Sequence, residues 1–158
     1  MDEDFLLSLP PLSMRLFLAL LQISVLVNEQ SNAHLHDFGI TGARLSILIT
    51  LFQARTPLAP SELGRRLAVS RANISLLLTA LEQKGLIERI ENKEDGRFHL
   101  AQLTESGQAL LRQSLPVHRA TVQHAMAGLA DEEQAQMLFL AGKLIGSLQG
   151  RVREGQDN

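Results

Sequence analysis

The chain of 158 residues contains no cysteine, no tryptophan and no tyrosine, and only 6 phenylalanines. Without cysteine there is no disulfide, no thiolate zinc site, no cysteine nucleophile and no thiol-based redox switch. With so few aromatic rings, the stacking platforms that single-strand nucleic-acid binders rely on cannot be assembled. Catalytic patterns are missing as well. There is no phosphate-cradling glycine loop, no Gly-x-Ser-x-Gly and no His-Glu-x-x-His, which predicts a protein that is not an enzyme and carries no cofactor. The opening Met1-Asp2-Glu3-Asp4 has the wrong charge for a secretory leader. The apolar run from Leu16 to Val27 is shorter than the ~20 residues of a bilayer span. These features predict a cytoplasmic protein without a membrane partner.

What is present suits a folded domain. Hydrophobic residues make up 45% of the chain and charged residues 20%, enough apolar surface for a core and too little charge for a disordered chain. The net charge of −2 is unevenly spread. From Arg55 to His99 there are eight basic and six acidic residues, against seven and eleven in the remainder. A mildly positive middle between acidic ends favours a polyanionic partner, although so small an imbalance decides nothing by itself.

Periodicity predicts the elements. Leu12 to about Ala33 reads as a helix whose long polar residues, Arg15, Gln22 and Glu29, share one face. Its remaining faces are apolar and need a cover, for which a second subunit is the natural candidate. A second helix is expected from Thr41 or Gly42 to about Arg55, and a short third from Pro60 to about Ala68, with Pro60 in the first turn. Ser70 is an N-cap candidate for a helix from Arg71 to Lys84, with Gly85 as the left-handed residue past its end. Ile74, Leu77, Leu78 and Leu81 mark the buried face of that helix. Leu86 to Glu91 and Arg97 to Leu103 suit strands, joined by a polar turn, Asn92 to Gly96, that ends in Asp-Gly. A long helix is expected from Thr104-Glu105, kinked at Pro116. A last one should run from the acidic Asp131-Glu132-Glu133 to about Gln149, followed by a frayed tail. Gly142, Gly146 and Gly150 recur along one edge of it, each costing ~1 kcal/mol relative to alanine, which suggests close approach of another helix.

The order helix, tight turn, helix, hairpin between Leu58 and Leu103 is that of a winged helix-turn-helix. With its apolar face turned inward, the Arg71–Lys84 helix offers Ser70, Arg71, Asn73 and Ser75 at its exposed N-terminal part. Arginine suits guanine edges or phosphate, asparagine suits adenine, and serine suits phosphate or a base edge. Lys93 and Arg97 lie near the hairpin tip, within reach of the backbone or the minor groove.

The stretch from Pro60 to Arg71, continued through Leu81 to Arg89, resembles the DNA-binding core of the MarR family of bacterial transcription regulators. So do Asp95 and Arg97 followed by Leu103, Thr104 and Gly107. Upstream, Phe38-Gly39-Ile40-Thr41 with Leu45 and Leu48 fits the start of the family's second helix, and Leu129 to Glu133 fits the start of its last.

The resemblance implies a mainly α fold, a winged helix-turn-helix with a small β-hairpin wing and N- and C-terminal dimerisation helices, in a single domain over residues 1–158. Residues 12–33 and 104–149 would form the dimerisation helices and residues 41–103 the DNA-binding lobe. It further implies a homodimer that binds palindromic double-stranded DNA, usually as a repressor, and that a small aromatic or phenolic effector can release. Arg97 would reach the minor groove, Asp95 would support the wing, and Ser70, Arg71, Asn73 and Ser75 would meet DNA from the recognition helix.

Some positions depart from that pattern. Leu76 and Ala80 stand where relatives often carry basic or polar residues, which predicts weaker phosphate contact. Ala59 and Ala130 replace capping residues, with Asp131 able to shift the second cap by one. A winged-helix module that binds protein rather than DNA is the competing reading, supported by Leu76 and the net negative charge. A zinc-responsive variant is the third. However, neither His34 and His36 nor His118 and His124 have the i, i+4 spacing that puts two ligands on one helix face. Arg15, set among leucines, is expected to reach for water or a partner's carboxylate, with a counter-ion role toward an anionic ligand as the lesser reading.

Overall fold

The computed structural model describes residues 11–91 and 99–154, the last four of these by backbone only. Its elements are α1 (Leu12–Ala33), a single 3₁₀ turn (His36–Phe38), α2 (Gly42–Ala54), α3 (Pro60–Leu67), α4 (Arg71–Gln83), β1 (Ile87–Glu91), β2 (His99–Leu103), α5 (Glu105–Met126) and α6 (Asp131–Glu154). The chain divides into two compact units, residues 1–121 and 122–158.

The first unit holds a leucine- and isoleucine-rich core. Leu45, Ile47, Leu48 and Leu51 from α2 meet Leu63 of α3 and Ile74, Leu78 and Leu81 of α4, closed by Leu86, Ile87, Ala101 and Leu111. On α4 the buried stripe is the one expected from its spacing, with Leu77 packed at its margin. β1 and β2 pair antiparallel, with Ile87 opposite Leu103 and Arg89 opposite Ala101. A feature with no sequence signal adds to this hairpin. Leu58, in the loop before α3, exchanges two backbone hydrogen bonds with Ala101, at 3.0 and 2.8 Å. That bridge ties the base of the wing to the start of the helix-turn-helix. The Asn92–Gly96 turn expected at the wing tip lies outside the described residues.

Local chemistry explains the boundaries. Pro60 occupies the first turn of α3, where its missing N–H costs nothing, and Ala59 before it makes no side-chain cap. At the other end of α3, Ala68 takes a left-handed conformation (φ 53°) and Val69 N–H donates to the Gly64 carbonyl at 2.9 Å. The turn folds back so closely that a Cβ at position 64 would sit 2.9 Å from the Val69 carbonyl oxygen. Gly85, with φ +66°, ends α4 as its sequence position predicts.

The Leu103-Thr104-x-x-Gly107 signature has a clear physical role. The Thr104 hydroxyl donates to the Gly85 carbonyl at 2.7 Å and accepts the Gly107 N–H at 3.1 Å, capping α5. Gly107 itself lies against the Leu86 backbone, where any Cβ would collide with the carbonyl. Helix α5 then continues to Met126 with Pro116 in its interior. Since proline has no N–H, the ladder loses one bond there.

Helix α1 begins and ends where expected, and none of its residues is buried. It is longer than its most apolar run suggests. It has 22 residues, and the mean hydropathy of an 18-residue stretch within it is 1.4, so it is long and apolar enough to cross a membrane by length and composition alone. At its C-terminal end, the Asn32 side chain accepts the Gly42 N–H at 2.8 Å and so fastens α1 to α2.

In the second unit, α6 starts at Asp131 with the Glu133 carboxylate accepting the Ala130 N–H at 2.8 Å. The cap therefore stays at Ala130 and does not shift to Asp131, because the glutamate three residues on reaches back in its place. Gln134 donates to the Leu129 and Met126 carbonyls at 2.9 and 3.3 Å, closing the preceding turn. The helix also runs past the expected end at Gln149 to Glu154, passing through Gly150, since Arg151 to Glu154 suit a helix and carry it on. Met137, Leu138, Phe139, Leu140, Ile145 and Leu148 are exposed along it.

Candidate nucleic-acid interface

Helix α4 is held by its inner stripe and leaves the opposite side free. Ser70 is its N-cap, its hydroxyl oxygen accepting the Asn73 N–H at 3.3 Å. This bond fixes the first turn and presents Arg71 and Asn73, both exposed, at the helix N-terminus. Ser75 is exposed too, but its hydroxyl donates to the Arg71 carbonyl at 3.0 Å. It can still accept a bond from outside, while its proton is engaged within the helix. The structure thus brings Ser70, Arg71, Asn73 and Ser75 onto one accessible end of a helix. Lys93, Asp95 and Arg97 lie outside the described residues.

The basic residues of the lobe differ sharply in how free they are. Glu62 on α3 accepts from Arg65 Nε and Nη2 at 2.9 and 2.7 Å and from Arg66 Nε at 2.6 Å. Hydrogen bonds from Arg65 and then Arg66 hold the Glu62 carboxyl down to about 2, so it stays ionised and both arginines are partly neutralised. On the wing, Arg89 pairs with Glu82 at 3.1 Å and donates to the Thr79 hydroxyl at 2.9 Å. Lys84 Nζ donates to the Gly39 carbonyl at 2.5 Å. Among the described residues Arg71 carries the cation at the exposed end of α4 with no such partner. The count of eight basic residues in this segment therefore overstates the charge available to a polyanion.

Two arrangements escaped the sequence reading. His34, just past α1, and His118, on α5, meet: His34 Nε2 lies 3.0 Å from His118 Nδ1, with the rings stacked at 5.2 Å between centroids. Weighing spacing only within the pairs His34/His36 and His118/His124 could not find a pair 84 residues apart. Among the described residues no three His, Asp or Glu side chains cluster as a metal site would require. The second arrangement is a cavity of about 300 Å³ lined by Leu51, Phe52, Arg55, Pro57, Gln102 and Gln108, among others. Arg15 does not line it; it lies exposed on α1.

A helix-turn-helix with a β-hairpin at its back and a polar, partly cationic N-terminal end on its second helix defines a winged-helix DNA-binding protein. Comparison with known proteins agrees. The MarR family model matches residues 40–99. Over 137 residues the chain is 34% identical to the HTH-type transcriptional repressor YetL of Bacillus subtilis, covering 86% of this chain and 82% of that one. Among solved structures, AbsC, a MarR family transcriptional regulator from Streptomyces coelicolor, superposes with a TM-score of 0.81 at 26% identity, covering 90% of this chain and 98% of that one. A mutant MarR from E. coli complexed with operator DNA gives 0.76 at 26% identity, covering 82% and 93%. The chain belongs to the MarR family and is a DNA-binding transcription regulator.

Proposed function

We propose that this protein is a repressor that binds a palindromic operator as a homodimer and releases it when a small molecule binds. The observation that carries the reading is the exposed N-terminal end of α4, with Ser70, Arg71, Asn73 and Ser75 capped and held outward by a fully packed inner stripe. One α4 entering each of two successive major grooves requires two subunits with their half-sites about 34 Å apart. The relative YetL is a repressor, and a MarR structure has operator DNA bound, in keeping with this use of the fold.

The homodimer is supported by apolar surface that the chain leaves open. Leu16, Phe17, Leu21 and Val25 of α1 and Leu138, Phe139 and Leu148 of α6 are all exposed, more than a monomer in water tolerates without a partner. A protein–protein role for α1 suits a DNA-binding regulator better than a membrane span does. The roles of residues 12–33 and 104–149 as dimerisation helices and of residues 41–103 as the DNA-binding lobe belong to the same proposal. So do the roles of Lys93 and Arg97 as wing contacts, with Asp95 supporting the wing. The effector is a small, partly apolar compound, for which the cavity beside Leu51, Phe52 and Arg55 has the size and the mixed lining.

The test is selection of bound duplexes from a random pool, followed by a salt series on the enriched site. A dimer using several phosphate contacts loses affinity steeply as salt rises. Salt-insensitive binding, or none, leaves the protein-interaction alternative. Sedimentation at working concentration must show two subunits.

A further inference from the structure

Helix α4 presents an outer stripe opposite its core: Ala72, Leu76, Thr79 and Gln83, spaced i, i+4, i+7 and i+11, against buried Ile74, Leu78 and Leu81. Of these, Ala72 and Leu76 fall on the N-terminal part, between Asn73 on one flank and Ser75 on the other. Leu76 is 70% exposed. An aliphatic side chain therefore stands in the middle of the exposed face of the recognition helix. The polar groups beside it are partly occupied. The Thr79 hydroxyl accepts from Arg89 at 2.9 Å and the Ser75 hydroxyl donates to the Arg71 carbonyl.

The major groove offers one methyl group, the 5-methyl of thymine; the other groups by which bases are told apart there are hydrogen-bond donors and acceptors, and cytosine presents only a bare C–H at the methyl position. Leucine has nothing to give a donor or an acceptor. Pressed against guanine or cytosine edges, it would strip their water without replacing the bonds. Against a thymine methyl, both partners leave water together at no such cost.

We propose that Leu76, supported by Ala72, is a specificity-determining residue that reads thymine methyl groups in each half-site. The absence of a basic residue at this position then exchanges phosphate affinity for base selectivity. This inference rests on the DNA-binding reading above.

The experiment uses the full-length protein and the duplex enriched by selection. Each thymine is replaced in turn by uracil, which removes only the methyl, and affinities are measured at fixed salt for the wild type and for Leu76→Ala. Because Leu76 lies outside the core, the variant should keep its helical signal and unfolding midpoint, and this is checked first. The wild type is expected to bind about fourfold more weakly at one or two uracil positions per half-site, the factor one buried apolar carbon contributes. Leu76→Ala should bind thymine and uracil duplexes alike at those positions. Equal binding of both duplexes by the wild type, or unchanged uracil sensitivity in the variant, overturns the proposal while leaving DNA binding standing. Failure of any duplex to bind in a salt-dependent way overturns both, and assigns the exposed leucine to a protein partner.

Discussion

His34 Nε2 and His118 Nδ1 stand 3.0 Å apart, joining the chain just past α1 to the middle of α5. The network assigns the protons. His34 Nδ1 lies 3.0 Å from the Gln30 carbonyl, which can only accept, so His34 Nδ1 carries the hydrogen. In the neutral ring Nε2 is then an acceptor, and His118 Nδ1–H donates to it. One added proton can go to the free His118 Nε2 and leave the shared bond intact, but a second would set N–H against N–H.

That relationship predicts a pH-dependent stability. Burial first, and the neighbouring His34 second, push His118 below the ordinary histidine value of 6.5. Among the described residues no carboxylate forms an ion pair with either ring; the acid that follows His36, Asp37, lies 3.9 Å from His36 instead. A histidine with a depressed folded value stays neutral while the unfolded chain takes up its proton. Stability is therefore complete above about pH 6.5 and falls as the pH drops below it. Urea unfolding at about pH 7.5 and 5.5 should show the loss in the wild type, and a smaller loss in His118→Gln. Equal losses would mean that the pair does not govern the acid limb.

Gly107→Ala is expected to destabilise the lobe by about 1–3 kcal/mol, the range for forcing atoms into a packed site. The obstacle is the Leu86 backbone with Leu103 Cδ2 beside it, so no side-chain rotation relieves it. A denaturant titration measures this, and a change within ~0.5 kcal/mol would show that α5 can shift away from β1.

Gly146→Ala separates the monomer from the proposed dimer. In the single chain nothing lies within 4 Å of a Cβ at this position. Alanine should then raise stability by up to ~1 kcal/mol through helix propensity alone. If a second helix packs along the glycine edge, the same change instead weakens the dimer, visible as a higher dissociation constant in sedimentation. The second result is the expected one.

At the DNA surface, Asn73→Ala should cost about 1–3 kcal/mol on the selected operator and relax the preference at one base pair. Arg97→Ala, by contrast, should lower affinity for all duplexes alike if the wing contact is to phosphate, and reduce the salt slope by about one. Gel-shift titrations on operator and scrambled duplexes at two salt concentrations distinguish these. A uniform loss for Asn73→Ala would remove it from base reading.

Much of this fold is legible in the amino-acid order. Short-range rules suffice for the Ser70 cap, the Gly85 stop, Pro60 in the first turn and the buried stripe of α4, because each depends on residues within a few positions of one another. The departures were also local. Helix α6 passes the expected end at Gln149 because Arg151-Val152-Arg153-Glu154 contains no breaker, and the shift of the second cap that Asp131 allowed is not made because Glu133 reaches Ala130.

The amino-acid order alone settled which segments coil, where they stop and which faces are apolar, since helix geometry and backbone sterics act along the chain. It was equally sufficient to mark Arg71, Asn73 and Ser75 as accessible. Only the tertiary structure decided which polar groups are already engaged: Arg65 and Arg66 by Glu62, Arg89 by Glu82 and Thr79, His118 by His34. It also brought Leu58 to Ala101, and Gly107 against Leu86. Several of these partners meet through packing of residues distant in sequence, and no periodicity encodes a distance across the core. Even the short-range pairs depend on side-chain directions that the backbone must first set.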